Sequence, residues 1–283
     1  MPPRSAPSMR QRRLGAELRK MREQAGLTGA ATAKLLGVGT TQVSQMESGR
    51  IGVSADRLRT FAACCRCMNQ PLIEALVDMV HERGKGWYES YRGIIPAGFL
   101  EVAEVELHAH SIQTWVTTHM PGLLQTTRYA EGVFSRIIPA VPRHEMDART
   151  AFRIQRRNIL LGPNATPLEA FIHEAALHIR FGGQDVLRDQ LESLLTDSER
   201  EGISVRIVPF AAETFPGAIE NLNYTTGPIS ELDTVELDSS RGPLFFDAKS
   251  ELESYRAILQ RTESVALSPE KSRELIRSVA RNL

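Results

Sequence analysis

Thr40, Thr41, Ser44 and Gln45, with Gln42 at their flank, are short hydroxyl and amide side chains gathered within six residues. At helical spacing they share one polar face, and each can both donate to and accept from the edges of nucleic-acid bases. A merely solubilising face would hold Glu and Lys instead. The histidines carry less chemistry. His173 and Glu174 followed by His178 lie near the pattern of a zinc-peptidase helix, but that pattern needs the second His at i+4. At i+5 the two rings diverge by about 140° on a helix. His108 and His110 align only on a strand, where His119 could join them. No Ser stands in a nucleophile elbow, and Arg241–Phe246 lacks the glycine spacing of a phosphate loop. These residues give no catalytic set, so we expect no enzyme, no metal and no cofactor.

The polar face needs elements to hold it, and the stretch from Thr28 to Arg50 supplies them. Thr28 is a good helix N-cap, and Ala33 and Leu36 follow on the inner face. Gly37 fits a tight turn requiring a left-handed backbone. A second helix opens near Thr40 and turns Val43 and Met46 inward, three residues apart. Small Ala33, Gly37 and β-branched Val43 let two helices cross closely, which is the steric requirement of a helix-turn-helix. A preceding helix over Gln11–Gln24 buries Leu14, Leu18 and Met21 and ends at Gly26; residues 1–9 are Pro/Ser-rich and expected to be disordered. After Gly49, Ser54 caps a helix with Asp56 in its first turn.

The chain balances 34 Lys and Arg against 34 Asp and Glu, but not evenly. Residues 1–70 hold 12 basic and 4 acidic side chains, a charge of +8, and the remainder holds 22 and 30, a charge of −8. A basic head on an acidic body fits a nucleic-acid binder with a separate, non-binding domain. An apolar content of 42% is ordinary for a globular chain. With no secretory h-region and no bilayer-length apolar run, we expect a cytoplasmic, nucleoid-associated protein with no membrane partner. Cys64, Cys65 and Cys67 crowd one helical turn. Their odd number argues against a secreted disulfide framework, and Cys65 shares the apolar face of Leu58, Phe61 and Ala62.

From Arg12 to Cys67 the chain resembles Cro/cI-type (Xre) helix-turn-helix domains, on the segments RRLGAELRKMREQAGLT and VSQMESGR. The resemblance implies a double-stranded DNA operator as partner, with a recognition helix in the major groove. Thr40, Thr41, Gln42, Ser44 and Gln45 would read bases, while Thr28 and Arg50 would position the DNA backbone. It also implies a structural pair between Arg22 and Glu47. Ala31 replaces the Glu that often completes the capping box, and Thr32 replaces a larger apolar residue, which predicts a somewhat weaker second helix.

Beyond Asn69 a helix with Pro71 in its first turn runs to about Arg83 and stops at Gly84–Gly86. Residues 69–95 are read as a bridge, with Trp87, Tyr88 and Tyr91 as aromatic anchors for burial or for a partner. Further helices are expected over Pro96–His110, Gln125–Ile137, Glu145–Leu161, Gln184–Glu201 and Lys249–Thr262, and after the Ser268 cap. Strands are expected in SIQTWVTTHM and ISVRIVPF and across Asn221–Gly227, Thr234–Asp238 and Pro243–Phe246; PLEAFIHEAAL fits either type. The expected fold is an all-α helix-turn-helix domain (1–68), the bridge (69–95), and an α+β domain with a small mixed sheet (96–283). In order, PGLLQT, RIQRRNIL, HEAAL, VRIVPF and ALSPEKSRELI resemble the C-terminal domain of actinomycete WhiJ-like, antitoxin-like regulators. That resemblance implies a DNA-binding transcription regulator, here expected to be a homodimeric repressor, with a small co-encoded protein partner. The alternatives are an antitoxin-like interaction protein of a toxin–antitoxin pair, or a nucleic-acid-modifying enzyme.

Overall fold

A computed structural model of the chain describes residues 7–82, 86–213, 220–239 and 241–283. Contacts divide the chain into two units, Met1–Trp87 and Tyr88–Leu283. Most of the N-terminal segment expected to be disordered, together with Arg83 and Gly84 at the expected helix stop, lies outside the described residues.

The first unit is all helical: α1 (Met9–Gln24), α2 (Gly29–Leu36), α3 (Thr40–Glu47), α4 (Ala55–Cys64) and α5 (Gln70–His81). Ser8 and Gln11 form a reciprocal capping box that starts α1 two residues earlier than its apolar stripe suggests. Thr28 caps α2, Ser54 caps α4 and Asn69 caps α5, each accepting from a first-turn backbone N–H. Leu18, Met21, Val43, Met46, Leu58, Phe61 and Leu76 are buried among the helices. Helix α5, expected in the bridge, packs on α4 and α1 and so belongs to this unit. Cys65 is buried as expected, and burial pushes its thiol up to about 11; Cys64 and Cys67 are half-buried.

The second unit is α+β, with a six-stranded mixed sheet. In chain order it contains α6 (Ala97–Leu107), β1 (Ser111–Val116), α7 (Thr127–Phe134), α8 (Arg143–Arg156) and β2 (Leu168–His173). There follow α9 (Gln184–Ser198), β3 (Ile203–Val208), β4 (Leu222–Thr226), β5 (Thr234–Ser239), β6 (Gly242–Phe246), α10 (Lys249–Val265) and α11 (Pro269–Arg281). The strand order is β3-β2-β1-β4-β5-β6. Strands β1, β2 and β3 are parallel, so helical crossovers must join them, and α7–α8 and α9 do so. Strands β4, β5 and β6 add antiparallel on the other side of β1.

Alternation sorts the strand residues between two cores. Ile112, Val116, Leu168, Ala170, Ile172, Val205 and Ile207 face one layer, with Leu187 and Leu191 of α9 and Ile276 of α11. Trp115, Phe171, Val208, Leu222, Tyr224, Val235 and Leu237 face the other, with Leu252 and Leu259 of α10. The ambiguous PLEAFIHEAAL stretch resolves into β2 followed by a single 3-10 turn over Glu174–Leu177.

Candidate nucleic-acid interface

Helix α3 is the element on which the interface depends. Val43 and Met46 are almost wholly buried, at 1% and 2% exposure, which forces the opposite face outward. Thr40, Thr41, Gln42 and Ser44 are exposed there and Gln45 is half-buried. All five therefore lie on one short helix, with none of the strongly charged side chains that a solvating face would carry. The N-cap of α3 is Gly39, which offers no side-chain cap; the Gln42 N–H donates to the Gly39 carbonyl at 3.0 Å, and the N–H groups of Thr40 and Thr41 stay open to an outside acceptor.

A tight turn and close contacts with α1 fix the pose of α3. The turn before it bends at Gly37, with φ +65°. Its C-terminal end lies directly on α1. A Cβ at Gly15 would meet the Glu47 carbonyl and come within 2.7 Å of the Met46 carbonyl oxygen. A Cβ at Gly49, itself at φ +69°, would fall 2.6 Å from the Gln11 carbonyl oxygen. Arg22 then closes the joint: Nε donates to Glu47 Oε1 at 2.6 Å, Nη2 to Oε2 at 3.0 Å and Nη1 to the Leu27 carbonyl at 3.0 Å. Hydrogen bonding to Glu47 holds the Arg22 pKa above its ordinary value, so the guanidinium stays charged. One guanidinium thus ties α1, the entry to α2 and the end of α3.

Thr28 and Arg50 flank this face in the chain. The Thr28 hydroxyl accepts from Ala31 N at 3.1 Å, leaving its own proton available to a phosphate. Arg50 is exposed and its side chain has no hydrogen bond or ion pair among the described residues, while its backbone N–H donates to the Gln45 carbonyl at 2.9 Å. Sequence reasoning missed Gly15. Its signal was a glycine inside a helix, a placement that costs about 1 kcal/mol relative to Ala and so points to a close backbone approach.

The aromatic anchors are placed differently from an open binding surface. Tyr88 is buried, and Tyr91 packs edge-on to Phe152 at 5.1 Å while its hydroxyl donates to Gln155 Oε1 at 3.0 Å. Both rings are held within the second unit, which removes Tyr88 as an exposed partner contact; Trp87 is half-buried. The histidines also scatter. His173 and His178 flank the ring of Phe210 from two sides, His108 closes α6, and His119 lies beyond β1. Among the described residues no three His, Cys, Asp or Glu side chains come together as a metal site. No helix there is long and apolar enough to cross a membrane.

Residues 13–76, which include every residue of this interface, match a family described as a helix-turn-helix domain. Residues 99–278, well over half of the chain, match a family described as a domain of unknown function, DUF5753. The chain belongs to the DUF5753 family. No curated protein and no solved structure matches it significantly. The helix-turn-helix preceding the DUF5753 domain identifies a DNA-binding regulator, in agreement with the geometry of α3. The DUF5753 match covers the sheet and its helices but brings no activity with it.

Proposed function

We propose that this protein is a sequence-specific transcription regulator of the Xre, WhiJ-like kind. In this reading it is a homodimeric, nucleoid-associated repressor in the cytoplasm, and its DUF5753 domain acts as a receiver rather than an enzyme. The observation that carries the reading is the exposed Thr40–Gln45 face on a helix whose pose is fixed by backbone contact and by Arg22. Hydroxyl and amide groups on a rigid helix discriminate base edges in a major groove, whereas Arg50 and the open N–H groups at the helix starts serve phosphate. The +8 charge of residues 1–70 raises affinity for any duplex, and the −8 remainder keeps the second domain off it. One helix-turn-helix covers only a half-site, so tight operator binding calls for two copies.

A footprint of the full chain on its operator tests the proposal, run with and without the small protein encoded beside it. The expected pattern is two protected half-sites about 34 Å or a multiple of it apart. Added small protein should shift the occupancy. Protection of a single half-site by one chain would count against the dimer, and occupancy indifferent to the small protein would remove it as the partner.

A further inference from the structure

The strand order reverses at β1. Strands β2 and β3 are laid on one side of it, and the chain then returns to place β4 and β5 on the other. In open sheets a crevice forms beyond the carboxyl end of the strand at which order reverses, and ligands bind there. In this fold that position holds the segment from Thr117 to Thr126, Asn221 just before β4, and Asp238 near the end of β5. The register sets Leu222 beside both Trp115 and Leu237.

The polar groups at this edge form one connected network. Arg153 of α8 donates from Nη1 to Gln125 Oε1 at 3.0 Å, and Gln125 Nε2 donates to the Met120 carbonyl at 2.9 Å. The same carbonyl lies 2.9 Å from His119 Nδ1, and since a carbonyl only accepts, Nδ1 carries the proton. Asn221 Oδ1 accepts from the Thr117 N–H and hydroxyl, so its amide nitrogen turns to His119 Nε2 at 3.2 Å. Asp238 Oδ2 stands 3.7 Å from that Nε2, and its side chain is more than half exposed. The tautomer of His119 and the orientation of Asn221 are thereby fixed by the fold.

Two charges in this network are only partly matched among the described residues: Arg153 meets an amide oxygen but no carboxylate, and Asp238 has His119 at 3.7 Å. Neighbouring Arg156 is paired through Nε and Nη2 with the two carboxylate oxygens of Glu106, and Glu236 accepts from Asn223 Nδ2 at 2.5 Å. Arg153 has no such carboxylate: its Nε is buried without a hydrogen-bond partner, and its guanidinium lies 4.8 Å above the Phe134 ring. Burial and the nearby Arg156 pull its pKa down to about 10. Gly122 lies against this side chain, where a Cβ would stand 3.5 Å from Arg153 Nη1, in ordinary contact. Asp238, opposite in sign and open to solvent, is within electrostatic reach of Arg153. A buried guanidinium with no carboxylate partner, beside an exposed carboxylate, suits a ligand carrying both charges, and the acidic side repels a dianion.

We propose that this crevice binds a free α-amino acid, with its carboxylate on Arg153 and its ammonium on Asp238, as an effector of the regulator. The proposal deepens the receiver reading and rests on it for the ligand's effect on DNA. The test is thermal unfolding of the purified full chain with each proteinogenic α-amino acid at about 10 mM, enough to reveal millimolar binding. Inorganic phosphate and the N-acetyl and carboxamide forms of any hit serve as controls. At least one amino acid should raise the melting temperature, and forms lacking either charge should not. Arg153→Gln and Asp238→Asn should each weaken binding about tenfold or more. Asp238 is exposed, so its variant should melt like the wild type without ligand. No stabilisation by any amino acid, equal binding of a one-charge form or of phosphate, or unchanged binding by Asp238→Asn would each overturn the site. Operator affinity measured with the same ligand separates the two readings: binding without any change in operator affinity would keep the site and sink its effector role.

Discussion

Thr32 occupies a fully buried position in α2, and its hydroxyl has no hydrogen-bond partner. The departure from a larger apolar residue, noticed in the sequence, is therefore a local defect of the helix-turn-helix core. Thr32→Val keeps the shape and removes the orphaned oxygen, so it should stabilise the first unit by about 1 kcal/mol or more, read as a higher melting temperature. Glu236 presents the opposite case, a carboxylate whose burial raises its pKa from 4.5 to about 7. Below pH 4.5 the group is protonated in both folded and unfolded chains and contributes no difference. Between pH 4.5 and 7 the unfolded chain loses the proton first, so this group's contribution to stability falls as pH rises. Above pH 7 the deficit is complete, up to about 3 kcal/mol. Glu236→Gln should be nearly neutral at pH 4 and progressively more stable than the wild type up to pH 7, as measured by denaturant unfolding across that range.

Among the elements, α3 shows how a pose is imposed by backbone rather than side chains. Intrinsic helix propensity says that Gly15→Ala should stabilise α1 by about 1 kcal/mol. Direct approach of the Glu47 and Met46 carbonyls says the reverse, because those atoms are backbone and cannot rotate away. Overpacking of this kind costs about 1–3 kcal/mol, so Gly15→Ala should lower the melting temperature and weaken operator binding by displacing α3. A melting temperature that rises with unchanged binding would show that the joint has slack. The contrast also marks what was legible in sequence. Helix caps such as Thr28, Ser54 and Ser268, the Gly37 turn, and the outward face Thr40–Gln45 depend on local chemistry, and each was placed to within a residue or two. The alternating pattern likewise revealed β1, β3, β4, β5 and β6. Contacts distant in sequence were not legible: Gly15 on Glu47, Tyr91 on Phe152, and the pairing of β2 between β1 and β3, which decides PLEAFIHEAAL in favour of a strand. The same holds for the Arg153–Gln125–His119–Asp238 network, whose members come from α8, the segment after β1, and β5.

At the scale of the whole molecule, charge and fold are divided in the same way. The first 70 residues carry a charge of +8, within which most of the helix-turn-helix unit lies, and the remainder, which holds the DUF5753 unit, carries −8. Non-specific attraction to DNA needs only the charge, whereas sequence preference needs the outward face of α3. The central claim, that this face reads bases, is tested most directly by selecting bound sites from a random duplex pool with the wild-type chain, Gln45→Ala and Arg50→Ala. The wild type should enrich a defined site. Gln45→Ala should relax preference at particular positions, by about 1–3 kcal/mol there. Arg50→Ala should weaken binding to all sequences alike and reduce the slope of log affinity against log salt by about 0.9. Failure of the wild type to enrich any site, or a Gln45→Ala chain that enriches the same site with the same preference, would contradict the assignment of α3 as the reading helix.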